Sequence, residues 1–395
     1  MRVELGDLGF DQGGALLINR ALRLTGPGGQ ISVSGSAPDL ELHLRSWCRT
    51  EGHILQWRSD SQALITVAAT VAARWSGAER AGSPDPSVPQ AIAEHAPRRW
   101  GLAARGALVE SGSPEFAFPL ADKMEVWSID AGRLYAQGAA AQWDPATAIP
   151  WNTEFDLPFD VEDAVVQIMT YLIENETAAL LVPSRFVSQL HPHFREVMQV
   201  LALQAADEAR HIEVFTRRAL LKRNELGLST SGGQASLKTL VEEPDFAIAS
   251  FLLSVLGEGT FLSLLWFLER RAPDPITAAV CRLAAQDEAR HVAFGVAHLR
   301  ERISQDSGIL PKLANAVRRR HDALRYTAGL NAEVFDALLL VASGGWEPSD
   351  LRRGHEDVLR LVREMGELRQ KRMVHLGFGE VEAQELSGLH TRNFM

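Results

Sequence analysis

Asp207-Glu208-Ala209-Arg210-His211 recurs letter for letter as Asp287-Glu288-Ala289-Arg290-His291, 80 positions further along the chain. A single Glu-x-x-His is expected by chance about once in a chain of this length, given ordinary residue frequencies. Two identical pentapeptides, each inside a helical pattern, are not. Residues three apart stand one turn above each other on a helix, so Glu208 with His211, and Glu288 with His291, can each grip one ion from one face. Each copy follows an apolar helix interrupted by an acid: Glu176 lies 32 residues before Glu208, and Glu258 lies 30 before Glu288. Those separations let each preceding helix run antiparallel beside its Glu-x-x-His helix, with the acid at the same level.

The neighbours say which way the acids face. Leu172, Ile173 and Leu180 around Glu176, and Val255, Phe261 and Leu262 around Glu258, are apolar at helical spacing, which turns both carboxylates inward. Glu174, 34 residues before Glu208, is a rival first ligand, but Thr170, Tyr171 and Thr177 make its surroundings wetter. Four unpaired acids in a core would cost several kcal/mol each, more than a marginally stable domain can spare. Metal ions would supply the compensating charge. A six-residue set rich in oxygen, containing nitrogen and lacking sulfur, suits two iron ions or a mixed manganese–iron pair, with positions left for water, oxygen and substrate.

From Val161 onward the pattern is almost wholly helical, with helices expected over Val161–Val182, Phe194–Leu226, Phe246–Arg270, Ile276–Ile303, Pro311–Ala342 and Pro348–Leu376. Breaks are expected at Pro183, Pro192, the 227–233 loop, Pro273, Pro275 and the Gly344-Gly345 turn. Long helices with brief connections favour an antiparallel bundle. Gly257 and Gly259 flank Glu258 in mid-helix, read either as close helix packing or as a widened turn. His191 and His193 read as helix-start residues. Arg318-Arg319-Arg320-His321 and Arg352-Arg353 read as solvated faces, with receipt of an anionic carrier such as a phosphopantetheine group as the alternative.

Ahead of this region the chain is mixed. Met1–Leu5, Ala15–Leu24, Gln30–Ser34, Leu40–Glu51, His53–Arg58 and Ala63–Val71 suggest a β-α-β-α-β-β order in a small α+β unit. Ser83-Pro84-Asp85-Pro86-Ser87-Val88-Pro89 reads as a stiff, extended linker. Three regions are therefore expected: a domain over 1–78, a Pro-rich linker and shoulder segment over 79–155 with a helix at Asp130–Trp143, and a helical di-metal domain over 156–395. The fold class is mainly α, a four-helix bundle with extra C-terminal helices behind a small α+β domain.

Composition narrows the function. The chain has 395 residues, 46% of them hydrophobic, and a net charge of -10, which argues against nucleic-acid binding driven by overall charge. Cys48 and Cys281 are the only cysteines, so a disulfide framework or a cysteine-based metal site is ruled out within one chain, and a reducing cytoplasm fits best. Residues 246–268 could mimic a membrane span, but Glu258 sits near their centre, and a mid-membrane carboxylate is expensive. They read as a buried helix of a protein with no membrane partner.

The doubled motif with its two preceding acids resembles the di-iron carboxylate, ferritin-like superfamily over about residues 161–303. That superfamily includes acyl-carrier desaturases, multicomponent monooxygenases, the ribonucleotide reductase small subunit and related ligand-binding oxidases. The resemblance implies a bridged two-metal centre on Glu176, Glu208, His211, Glu258, Glu288 and His291 that reacts with dioxygen or peroxide. It also implies that Asp207 and Asp287 each hydrogen-bond a histidine ligand from the opposite half, with Arg210 and Arg290 pairing to those aspartates. The reductase radical tyrosine would fall where this chain has Phe215, which removes the usual reductase function; Tyr171 is a weak substitute.

The front region has its own resemblance. Ser46-Trp47-Cys48-Arg49-Thr50-Glu51-Gly52-His53-Ile54-Leu55, following Gly28-Gly29-Gln30-Ile31-Ser32-Val33, is similar to the TusA-like sulfur-carrier fold over roughly Leu5–Val71. That family's active cysteine stands in a Cys-Pro-x-Pro turn, where this chain reads Phe10-Asp11-Gln12-Gly13-Gly14. Thiolate sulfur transfer there is chemically impossible, and burial suits Cys48 better than reactivity. A scaffold kept for docking, dimerisation or substrate gating is implied. The functional expectation is an oxidoreductase acting on a small-molecule or carrier-linked substrate with an external electron donor, a homodimer being one assembly left open. The alternatives are a ferroxidase or peroxide-handling protein, and a metal-stapled interaction module.

Overall fold

The computed structural model describes residues 1–59, 61–68, 77–324 and 332–391. Its contacts divide the chain into two compact units, Met1–Ala91 with Arg98–Phe116, and Ile92–Pro97 with Ala117–Met395.

In the first unit β1 (Arg2–Glu4), α1 (Ala15–Thr25), β2 (Gln30–Ser34), α2 (Leu40–Glu51), β3 (Ile54–Ser59) and β4 (Gln62–Thr66) follow one another. The end of the expected strand at Val71 lies outside the described residues. The sheet order is β1-β2-β4-β3, with β1 parallel to β2 and the other pairs antiparallel. Alternation places Ile31, Val33, Ala63 and Ile65 on one face, where Ile18, Leu22, Leu44 and Cys48 from the helices cover them. Burial pushes the Cys48 thiol up to about 12. Ser83–Pro89 is not an extended linker: its backbone turns, with the Asp85 carboxylate accepting from the Ser87 N–H at 2.9 Å, as short polar side chains do in turns. β5 (Glu79–Arg80), just before it, pairs with β6 (Leu108–Val109), well after it, so the contact boundary falls later than residue 78.

The second unit is helical. After α3 (Lys123–Val126) and α4 (Ala131–Ala140) come α5 (Phe159–Val187), α6 (Arg195–Ala219), α7 (Ser231–Val241), α8 (Phe246–Arg271) and α9 (Pro275–Gln305). Then follow α10 (Ile309–Leu324), α11 (Ala332–Ser343), α12 (Pro348–Leu376) and α13 (Glu380–Thr391). Residues 325–331, inside the helix expected over Pro311–Ala342, lie outside the described residues. Helices α5 and α6 form one hairpin and α8 and α9 a second, joined by one long crossover through α7, the connectivity of a ferritin-like bundle. α11 packs on α5, α12 on α8, and α13 on α12.

Local chemistry sets the boundaries. Asp245 caps α8 by accepting from the Ile248 N–H at 3.0 Å, and Asp274 caps α9 by accepting from Ile276 and Thr277 at 3.0 and 2.8 Å. Asp274 also holds the fully buried Arg218 of α6 at 2.8 Å, while Glu162 of α5 grips the same guanidinium at 2.7 and 3.0 Å, tying three bundle helices together at one end. Pro183 does not end α5, contrary to the sequence expectation. Only one more turn follows it, and buried Phe186, edge-on to Phe246 at 5.1 Å, holds that turn in place. α6 stops at Ala219 because the chain turns back onto α5, where the Gly227 N–H donates to Thr170 Oγ1 and the Leu228 N–H to Gln167 Oε1, both at 2.8 Å. The expected 227–233 loop gives way at Ser231 to α7, whose Thr230 cap accepts from Gly233.

α5 and α8 are the two described helices long and apolar enough to cross a membrane. Of their most apolar stretches, 61% and 83% are buried inside the fold, as core helices require.

Candidate metal centre

α5 contributes Glu176, α6 Glu208 and His211, α8 Glu258, and α9 Glu288 and His291, all buried. Ligand atoms of Glu176, Glu208, His211 and Glu288 lie within 4.8 Å of one another, and so do those of Glu208, Glu258, Glu288 and His291. Glu208 and Glu288 belong to both groups. Glu174, half-buried, lies in neither.

The inward atoms are the revealing ones. His211 Nδ1 is 3.6 Å from Glu176, 3.3 Å from Glu208 and 3.4 Å from Glu288. His291 Nδ1 is 3.0 Å from Glu208, 3.5 Å from Glu288 and 4.0 Å from Glu258. Both Nδ1 atoms, both oxygens of Glu208 and Glu288, and one oxygen each of Glu176 and Glu258 are buried without a hydrogen-bond partner. Buried polar atoms are almost always satisfied, so eight orphaned donor atoms converging on one cavity fit a pair of bound cations.

Electrostatics agree. Burial, then the Glu208 charge, pushes the Glu176 carboxyl up to about 8. Burial and the Glu288 charge raise Glu258 well above the usual carboxylate range. Burial opposes charge on His211, but Asp287 and the three nearby glutamates prevail and raise it. His291 follows the same logic, with Glu208, Glu288 and Asp207 raising it. Without cations, the crowded negative charge is offset by protons held on Glu176, Glu258 and the two histidines; metal ions replace those protons.

Behind the inner atoms lies a crossed set of partners. His211 Nε2 is 3.2 Å from Asp287, and His291 Nε2 is 3.3 Å from Asp207, so each histidine is steadied by the aspartate of the other pentapeptide. Arg210 donates to Asp207 and, at 2.8 Å, to Asp287; Arg290 donates to Asp287 and lies 3.5 Å from Asp207. Burial works against the charge on both aspartates, but His211 and Arg210 beside Asp287, and His291 beside Asp207, hold them below the ordinary range.

Three further residues join the site without having been singled out from sequence, and a fourth, Arg320, comes from the basic run read there as a solvated face or a site for an anionic carrier. Gln142 donates to Asp207 at 2.8 Å, and Trp143 Nε1 donates to Asp287 at 2.8 Å with the Arg210 guanidinium over its ring at 4.5 Å. Gln204 donates to Glu258 at 2.6 Å. Arg320, expected on a solvated face, is 7% exposed and lines a cavity beside Glu176, Glu258 and Glu288. The signal for Gln204 was present, one turn before Glu208 on its inner face; Gln142 and Trp143 follow a short helix with no repeat to mark them.

The segment carrying Glu258 is unusual. Phe251–Glu258 winds as a π-helix inside α8, a feature that gathers at functional sites. Gly257 lines the cavity, and Gly259 lies against Arg372, which donates to the Val255 carbonyl at 3.0 Å. Widened turn and close packing therefore coexist here. Phe215, fully buried, stands with its ring 6.3 Å from that of His211, and Tyr171 stacks on Phe261 at 5.7 Å. His191 and His193 are buried at the start of α6, where His191 Nδ1 accepts from the His193 N–H at 3.1 Å.

No protein-family model matches this chain, and no curated protein matches it by sequence. Among solved structures, an R2-like ligand-binding oxidase with a Mn/Fe cofactor is similar at 19% identity and TM-score 0.47, over 62% of this chain and 94% of that one. A Synechococcus protein with aldehyde deformylating oxidase activity is similar at 18% identity and TM-score 0.43, over 58% and 96%. An R2-like ligand-binding oxidase from Sulfolobus acidocaldarius is similar at 17% identity and TM-score 0.42, over 64% and 93%. Likenesses this distant transfer neither substrate nor reaction.

Proposed function

We propose that this chain is a di-metal oxidoreductase that activates dioxygen or peroxide to oxidise an organic substrate. Glu176, Glu208, His211, Glu258, Glu288 and His291 would hold two iron ions, or a manganese–iron pair. The observation that carries this reading is the convergence of orphaned carboxylate and imidazole atoms from four helices, with Glu208 and Glu288 common to both groups. The metals, when bound, supply redox equivalents and a place for dioxygen to react. The chain's own residues do the rest. Asp207 and Asp287 accept from the outer histidine nitrogens and so direct Nδ1 inward. The surrounding leucines exclude water, and the π-helical turn gives Glu258 backbone freedom that a regular α-turn lacks.

Full reduction of dioxygen needs more electrons than a ferrous pair holds, so sustained turnover calls for an outside donor. Two buried free thiols fit a reducing cytoplasm. The front unit, whose β-α-β-α-β-β order accompanies a cysteine-free stretch at 10–14, is read as a TusA-like scaffold for docking, dimerisation or gating.

One observation favours a second reading. The cavity beside Glu176 and Glu258 measures only about 30 Å³, which suits iron or peroxide handling without a bulky substrate. Anaerobic loading with ferrous iron and rapid mixing with oxygen tests both: two irons per chain and a transient visible absorbance are expected. Absence of iron uptake would sink the di-metal reading. Formation of a stored ferric mineral would select the second.

A further inference from the structure

The cavity is not uniformly acidic or apolar. Glu176, Glu258 and Glu288 line it together with Leu237, Leu240, Leu252, Leu253 and a buried cation, Arg320 of α10. Arg320 Nε donates to Thr239 Oγ1 at 2.9 Å, and one terminal nitrogen donates to Ser236 Oγ at 2.8 Å; both hydroxyls come from α7. Hydroxyls orient a guanidinium without neutralising it. Among the described residues no aspartate or glutamate forms an ion pair with Arg320. A buried charge without a counter-charge is costly, and burial pulls Arg320 down to about 10. A strut between α10 and α7 alone would be served as well by a neutral side chain. Nε and one terminal nitrogen, which also donates to the Ser236 carbonyl at 3.4 Å, are thus engaged, leaving the other terminal nitrogen to donate to an anionic acceptor, which a carboxylate supplies.

We propose that Arg320 anchors the carboxylate of a small organic acid, held in this cavity beside the metal centre. This names a substrate class and rests on the di-metal reading above. Size supports it. A water needs about 10–15 Å³ of such space, so about 30 Å³ admits a carboxylate with a short apolar tail against the leucines and no bulkier acid unless α7 moves. Charge supplies a condition: an anion can enter beside Glu176, Glu258 and Glu288 only when cations offset those acids.

The test is calorimetric titration of propionate into manganese(II)-loaded protein, with metal content measured on the same sample. Propionate should bind the loaded protein, while propionamide, of similar shape but uncharged, and metal-stripped protein with propionate should show at least ten-fold weaker binding. Arg320→Met should weaken propionate at least ten-fold, as loss of a charged hydrogen bond does. Ser236→Ala, which leaves the guanidinium but loosens it, should weaken it several-fold and decides the matter if Arg320→Met does not fold. Fully loaded protein that ignores propionate, or binds propionamide equally, overturns the proposal and leaves the metal centre standing, as does unchanged affinity in the folded variants. Failure to load manganese or iron at all would instead strike the di-metal reading.

Discussion

Glu208 and Glu288 face each other with one oxygen apiece toward each histidine. Glu208 is 3.3 Å from His211 through one oxygen and 3.0 Å from His291 through the other; Glu288 is 3.4 and 3.5 Å from the same two nitrogens. These two carboxylates belong to both ligand groups, whereas Glu176 and Glu258 belong to one each. Glu208→Ala or Glu288→Ala should therefore impair both ions, and Glu176→Ala or Glu258→Ala mainly one. Metal analysis after exhaustive dialysis checks this: the first pair of variants should retain less metal than the second, and equal retention across all four counts against the shared-ligand geometry.

The crossed aspartates give a second test. Asp287 accepts from His211, Arg210, Trp143 and Arg290. Asp287→Asn keeps the shape but removes the charge, leaving two guanidiniums underpaired and the histidine tautomer unfixed. Outer partners of this kind are worth roughly 10–100-fold in metal affinity. Competition with a chelator should show a loss of that order for Asp287→Asn and for Asp207→Asn. Trp143→Phe, which deletes one hydrogen bond, should lose less.

How much of this was legible depends on what each feature leaves in sequence. The repeated pentapeptide and the apolar neighbours of Glu176 place those residues on inward faces because helical periodicity is local. Glu174 is half-buried and outside the cluster, as its wetter neighbours suggest. Trp143 stands 144 positions from Asp287 and meets it only through packing of a segment without period. Arg320 sits in a run of basic residues whose members look alike in sequence. Arg318 reaches out to Glu382 and Glu385, while Arg320, two positions on, points into the core. Pro183 misleads because proline's cost depends on how much helix remains after it.

The close approach of α8 and α9 makes a stability prediction. A Cβ added at Gly295 would lie 2.3 Å from Ser254 Cβ, one turn before Glu258, and nothing there can swing aside. Gly295→Ala should destabilise the protein by about 1–3 kcal/mol, the usual penalty for overpacking. Gly388→Ala on α13 meets no atom within 4 Å and should be neutral or stabilising by up to about 1 kcal/mol, since alanine favours helix. Urea unfolding of both variants, with metal present in equal amount, tests the contrast; a neutral Gly295→Ala would mean the two helices are not this tightly apposed.

The buried acids and imidazoles set the response to pH. Glu176 is raised from 4.5 to about 8, and Glu258, His211 and His291 are raised as well. A group whose folded value is raised binds its proton more tightly in the folded state, so its contribution is complete below the unfolded value and is lost as pH climbs through the folded one. Metal-stripped protein should therefore melt at a lower temperature at about pH 8.5 than at about pH 5.5, through this linkage. Asp207, Asp287 and Glu208 are lowered, so their contribution is lost only as pH falls below the usual carboxylate range, outside that window. Bound metal displaces the protons and reverses the trend, because low pH then competes for the ligands. Scanning calorimetry of stripped and manganese-loaded protein across the window should give slopes of opposite sign. Parallel slopes would mean that the cluster does not exchange protons for metal.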